Sequence, residues 1–307
     1  MYNALFSYLK EKDVKYKGNV NLSLHSYIKI GGIVDVGVFP NTKDKLILVL
    51  QYLYSGGYPF FVVGKMSNLL PKDSNYNGVA VFTDEVRDYI VDGNIVTVDC
   101  GAMLSSVIRR LQNLSLGGLE ALFGIPGTVG GMIYSNAGAF GSEISDRLIS
   151  VRVYDVTKNS ICSLNKSDLN FSYRHSLLKE NKHIIILDAV FSFLKKNLIQ
   201  IKEDIRACID KRKATQPIGQ PSLGSTFKRC NSIPIAKLID DCGLKGYRIG
   251  DAEISKKHAG FIVNRGAASS NDYSNLIAYI KDKIFEKYSL SINEEIEYLD
   301  FLPCNKT

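Results

Sequence analysis

Metal chemistry has little to work with in this chain. Its six cysteines, at positions 100, 162, 208, 230, 242 and 304, include no CxxC pair, and only four histidines accompany them. Without ligand spacing, neither zinc nor iron–sulfur ligation is expected, and all six read as ordinary small apolar side chains. No apolar run approaches the ~18–20 residues that span a bilayer. The N-terminal MYNALFSYLKEKDVKYKG reaches Lys10, Glu11 and Lys12 before a signal-peptide core could form. A cytoplasmic protein with no membrane partner is therefore expected.

Blocks of one charge sign are also missing. The formal net charge is +7, but the basic residues are scattered, so no nucleic-acid partner is expected. An evenly solvated basic surface is the first reading of the charge, and a phosphate-bearing small molecule suits it no better than nucleic acid does. With 45% hydrophobic and 22% charged residues, the chain is globular, and 307 residues allow two domains. No repeat or low-complexity tract interrupts it.

Periodicity supplies the elements. Asn41 or Thr42 caps a helix whose Leu46, Val49, Leu50 and Leu53 share one face. Strands follow at 60–64 and 79–83. Tyr89–Val91 and Ile95–Asp99 form a hairpin around Asp92-Gly93-Asn94. Leu104, Val107, Ile108 and Leu111 make a helix expected to stop near Gly117-Gly118, and strands are predicted at 148–156 and 183–194.

The character changes at Lys195-Lys196-Asn197. A helix carrying Ile201, Ile205, Cys208 and Ile209 leads to Lys211-Arg212-Lys213 and the loop QPIGQPSLGS. Domains are therefore expected at 1–196, with lobes of about 1–68 and 69–196, and at 197–307. In the last hundred residues, Pro234 opens a helix that Gly243 ends. Asp272 caps another, and strands 260–264 and 295–299 complete a small α/β unit.

The stretch GIPGTVGGMIYSNAGAFG, residues 124–141, holds six glycines in eighteen positions. Glycine loses the most backbone freedom on folding, so something must approach this main chain closely. Tight packing between strands is one answer. The other is an anion, because clustered glycines let backbone N–H groups converge on a phosphate. The GK[ST] of a phosphate-binding loop and the GxGxxG of a dinucleotide fold are both absent: Met132 follows Gly131, and 124–131 reads GxxGxxGG. VVGKMSNLL (62–70) offers a second loop, with Ser67 and Asn68 at the end of a strand.

GxxSNLL, GLEALFGIPGTVGGMIYSNAGAFGSEISD (118–146), YRHS (173–176), PSLGSTFK (221–228), GLKGYRIGDAEISKKHAGFIVN (243–264) and the C-terminal SINEEIEYL together resemble the UDP-N-acetylenolpyruvoylglucosamine reductase family. The resemblance runs from about Ser23 to Leu299, in the family's order. It implies an α+β fold: a two-lobed FAD-binding domain of the vanillyl-alcohol-oxidase/PCMH type, followed by an α/β substrate-binding domain. It also implies an NADPH-dependent oxidoreductase of peptidoglycan synthesis, with noncovalent FAD, acting on UDP-N-acetylglucosamine-enolpyruvate.

By the same resemblance, Gly64, Ser67, Asn68, Gly124, Ile125, Pro126, Gly127, Thr128, Gly130, Gly131, Asn136 and Gly138 hold the FAD. Arg174 would bind the substrate carboxylate, Ser225 would donate a proton, and Glu295 would act with Arg174, its carboxyl pKa raised. Glu294, its neighbour, should face the other way. Tyr173, Arg212, Gln216, Lys228 and Arg229 are expected at the sugar nucleotide, where the cations suit a diphosphate.

The chain departs from the family pattern in places. Met66 replaces the second glycine of GxGSN, and Arg229-Cys230 replace Asn-Pro. Glu297 stands where a base is usual, Asp300 where glycine is, and Glu253 where Gln is frequent. No segment matches the aromatic capping loop of the longer branch. Two other readings are an oxidase with covalent FAD and a noncatalytic flavin or sugar-nucleotide binder. Segments 60–70 and 118–141 lack the His or Cys that a tether needs, and a binder has no use for Arg174, Ser225 and Glu295 together.

Overall fold

The computed structural model describes residues 2–230 and 233–302. Cys304 lies outside them.

The chain opens with helix α1 (Asn3–Glu11), which buries Leu5 and Leu9. Strands Lys15–Asn21 and Ile33–Phe39 then pair antiparallel, and Tyr76–Phe82 and Phe60–Val63 extend the sheet in parallel. Helix α2 (Lys43–Ser55) covers it with Leu46, Val49, Leu50 and Leu53. Thr42 is its cap, accepting from the Lys45 N–H at 3.2 Å. Because the strand Tyr76–Phe82 belongs to this sheet, the first lobe runs past residue 68.

A second, antiparallel sheet has the order Ser160–Asn165, Leu148–Asp155, Ile184–Ser192, Ile95–Asp99 and Tyr89–Asp92. The expected hairpin is present, closing between Asp92 and Ile95. Helix α3 (Leu104–Asn113) ends sooner than its glycines suggested, since Ser115 takes the left-handed turn at φ 56°. The six-residue helix α4 (Val129–Tyr134) follows. Lys43 of α2 reaches across to Asp99 and Asp188 at 2.7 and 3.0 Å, so a charged clamp ties the first lobe to the second sheet.

Helix α5 (Leu198–Thr215) begins at the expected boundary, yet its Ile201 and Ile205 sit in the same core as the two lobes. A separate core takes Ile28, Ile30 and Leu70 from the first lobe and joins them, from Leu223 on, to helix α6 (Ile235–Asp241), helix α7 (Ser270–Tyr288) and a sheet ordered Ser222–Ser225, Phe261–Asn264, Ala252–Ile254, Arg248–Ile249. Ser269, and not Asp272, caps α7. Asp272 is the reciprocal acid three residues on, and each side chain receives the other's backbone N–H.

The C-terminal strand also differs from expectation. It is only Glu297–Tyr298, and it pairs in parallel with Leu69–Leu70 of the first lobe. The segment therefore joins both units: Glu294 bridges to Phe227, the Glu295 N–H donates to the Thr226 carbonyl and Ile296 packs in the second core, while Glu297–Tyr298 returns the chain to the loop carrying Ser67 and Asn68.

Candidate active site

One cavity of about 470 Å³ lies where the two lobes and the second core meet. Sixteen of the site residues expected from sequence border it: Gly64, Ser67, Asn68, Gly124, Ile125, Pro126, Gly127, Thr128, Gly130, Gly131, Gly138, Arg174, Arg212, Gln216, Ser225 and Glu295.

The glycine-rich wall is built from two loops laid against each other. Ser67 donates its hydroxyl to the Pro126 carbonyl at 2.6 Å. A Cβ at Gly64 would come within 2.5 Å of the Thr128 hydroxyl, so only glycine allows that approach. Thr128 caps α4, accepting from the Gly131 N–H. The Gly130 N–H is taken by the Cys100 carbonyl at 2.8 Å, so packing accounts for that glycine.

This wall fits a pyrophosphate chemically. Segments 64–68 and 124–131 contain no acidic side chain to repel it. Among the described residues, Cys100 is the one cysteine on the cavity wall; it is buried, and burial pushes its thiol up to about 12. It stays protonated and unreactive, and no histidine borders the cavity among the described residues. A covalent flavin tether has no attachment point.

Met66 keeps the left-handed backbone of the glycine it replaces, with φ 46°. Its side chain is buried beside Phe61 and Leu299. Packing thus holds a strained conformation that glycine adopts freely.

At another part of the wall, Arg174 sits in the tight turn closed by the Ser172 and His175 backbones, at φ 55°. Its Nε donates to Glu295 Oε1 at 2.5 Å and its Nη2 to the Gly138 carbonyl at 2.8 Å. Burial raises the Glu295 carboxyl above its ordinary range, although Arg174, Lys179 and Lys228 oppose the shift. Glu294 points away, to Lys281 of α7. Ser225 ends a strand on the same side, and the next residue, Thr226, accepts the Glu295 N–H at 2.8 Å.

Four expected residues do not border the cavity. Asn136 is fully buried and donates to Glu143 and to the Ser172 carbonyl. It braces the Arg174 turn from behind, and its Oδ1 has no hydrogen-bond partner. Tyr173, Lys228 and Arg229 lie beside the site, with the Tyr173 hydroxyl accepting from the Arg229 N–H at 3.3 Å. Arg212 borders the cavity yet is 5% exposed, and its guanidinium donates to the Phe123 and Ala121 carbonyls, both at 3.0 Å. It is a strut between α5 and the glycine-rich segment. Lys179, Tyr134 and Glu297 border the cavity as well. Sequence reasoning missed Lys179, whose one signal was its place three residues beyond YRHS.

A family described as "FAD binding domain" matches residues 34–164, and "UDP-N-acetylenolpyruvoylglucosamine reductase, C-terminal domain" matches 216–299. A UDP-N-acetylenolpyruvoylglucosamine reductase of Caldanaerobacter subterraneus subsp. tengcongensis is 41% identical over 299 residues, covering 97% of this chain and 98% of that protein. The chain belongs to the UDP-N-acetylenolpyruvoylglucosamine reductase family. A second reductase of this name, from Caldicellulosiruptor bescii, is 40% identical over 95% of this chain and 93% of its own length. The crystal structure of the Thermus caldophilus reductase superposes with a TM-score of 0.79 at 28% identity, covering 93% of this chain and 98% of that one. This member of the reductase family is thus an FAD-dependent oxidoreductase of α+β fold. Among the described residues, no helix is long and apolar enough to cross a membrane, and no cluster of potential metal ligands occurs.

Proposed function

We propose that the protein reduces the enolpyruvyl ether of UDP-N-acetylglucosamine-enolpyruvate to UDP-N-acetylmuramate in the cytoplasm, with NADPH as the reductant. Bound noncovalently between 64–68 and 124–138, FAD would supply the hydride that it takes from NADPH. Hydride enters at the terminal alkene carbon, and the electron pair of the double bond moves to the ether-bearing carbon and its carboxylate. The protein must stabilise that charge and provide a proton.

Arg174 holds the substrate carboxylate, since a guanidinium is permanently charged and its fork matches two oxygens. Glu295, its carboxyl shifted upward by burial, aligns Arg174 and shares hydrogen bonds there. Ser225 delivers the proton from its hydroxyl to the ether-bearing carbon. Gln216, with Tyr173, Lys228 and Arg229 beside the site, serves the sugar nucleotide. Residues 1–196 act as the flavin-binding part and 197–307 as the substrate-binding part, with α5 packed on the former.

The observation that carries this reading is the meeting of Arg174, Ser225 and Glu295 at a cavity whose segments 64–68 and 124–131 contain no acidic side chain. Rapid mixing tests it. NADPH should bleach the flavin, and the enolpyruvyl sugar nucleotide should restore the colour. Ser225→Ala should keep the bleaching and slow recovery by orders of magnitude. Bleaching without substrate-dependent recovery in the unaltered protein would instead mark a binder.

A further inference from the structure

Among the described residues, five basic side chains border the cavity: Lys65, Arg174, Lys179, Lys182 and Arg212. Lys65 is paired with Asp84 at 2.6 Å, Arg174 is engaged by Glu295, and Arg212 is spent on backbone carbonyls. Lys182 is exposed. Lys179 is different. Its side chain is only 17% exposed, its Nζ lies 2.6 Å from Glu297 Oε1, and it sits 5.7 Å above the Tyr134 ring.

Several contacts hold this arrangement in place. The Tyr134 hydroxyl donates to the other Glu297 oxygen at 3.2 Å. The buried Ser176 donates to the Tyr134 carbonyl at 2.7 Å, and the Lys179 N–H returns to the Ser176 carbonyl, so the turn carrying Lys179 is fixed to the end of α4. Glu297 is fixed in turn by its N–H, which donates to the Asn68 carbonyl at 2.9 Å. A lysine stem normally samples many rotamers. Here three elements hold it at the wall.

An ammonium carries three donors, and its contact with Glu297 is an ion pair rather than a hydrogen bond, since Glu297 Oε1 accepts none. We propose that Lys179 is a specificity-determining residue, its ammonium aimed by Glu297 and Tyr134 to receive an anionic group, carboxylate or phosphate, of a reacting small molecule. The inference rests on the proposed reaction for the identity of those molecules. The carboxylate source is the enolpyruvyl substrate, and the phosphate source is NADPH. The pair also accounts for the acid at 297, which holds a cation supplied by position 179.

The test is calorimetric titration of the oxidised holoenzyme with the enolpyruvyl sugar nucleotide and, separately, with NADP+, for the unaltered protein, Lys179→Gln, Lys179→Arg and Glu297→Gln. Lys179→Gln should raise one Kd at least tenfold and leave the other within twofold. A loss on the sugar nucleotide assigns the carboxylate, and a loss on NADP+ assigns the phosphate. Lys179→Arg should recover most of the affinity, and Glu297→Gln should weaken the same ligand by a smaller factor. Both Kd values unchanged in Lys179→Gln and Glu297→Gln overturn the proposal, as does the absence of binding of either ligand to the unaltered protein. Because binding is measured without turnover, an unaltered protein that binds but does not reduce the sugar nucleotide defeats the proposed reaction and leaves the role of Lys179 to the Kd values.

Discussion

Asn68 donates its side-chain amide to the backbone carbonyl of Glu295 at 3.1 Å, across 227 residues of chain. The loop facing the proposed flavin site and the segment facing the proposed substrate are therefore one hydrogen-bonded unit. Removing the amide leaves a half-buried carbonyl unpaired, a loss of about 1–3 kcal/mol. Asn68→Ala should slow flavin reoxidation by the substrate roughly tenfold, while NADPH still bleaches the flavin at close to the normal rate. Equal slowing of both half-reactions would show that the amide serves the flavin loop alone.

Met66→Gly restores the residue that the resembling family usually has, and a consensus argument expects it to stabilise. The structure argues the opposite. Relief of the left-handed strain is worth about 1–2 kcal/mol. Truncating a buried methionine costs about 2–5 kcal/mol, and glycine adds about 1 kcal/mol of backbone entropy. A lower urea midpoint is expected, and a higher one would mean that strain outweighs packing.

Glu295 gives a pH dependence of defined sign. Its folded carboxyl titrates above the ordinary 4.5, chiefly through burial. Its stabilising contribution is therefore full below the unfolded value and is lost as pH rises through the folded one. Relative to Glu295→Gln, the unaltered protein should lose stability as pH rises from about 4.5. Urea midpoints of both proteins between pH 4 and 8 measure the difference. A gap that widens in favour of the unaltered protein would show that the Arg174 ion pair outweighs desolvation.

Arg212→Lys separates a strut from a ligand contact. Lysine cannot reproduce the forked bonds to Phe123 and Ala121, so a stability loss of about 2–3 kcal/mol is expected. The KM for the sugar nucleotide should change less than about threefold. An unchanged Tm with a large rise in KM would return Arg212 to the substrate.

Much of this molecule was legible along the chain. Thr42, the faces of α2 and α3, the hairpin at Asp92 and the buried strands follow from caps, turns and periodicity, because those effects act over a few residues. The glycine-rich segment announced a close approach for the same reason: a missing Cβ is a local property. Contacts between distant segments left no such trace. Nothing near Asn136 shows that it turns inward, nothing near Arg212 shows that two carbonyls 89 and 91 residues away consume it, and nothing in EIEYL shows that it pairs with Leu69–Leu70.

Residue types and local order determined the elements and the loops without bulky side chains, and the resemblance to the reductase family supplied the roles of Arg174, Ser225 and Glu295. Tertiary structure decided which polar groups have partners left to find. Burial sets the cost of an unpaired charge, and burial is a property of the packed core. Hence the fate of Arg212, the upward shift of the Glu295 carboxyl and the pairing of Lys179 with Glu297 were settled only when the lobes closed around the cavity.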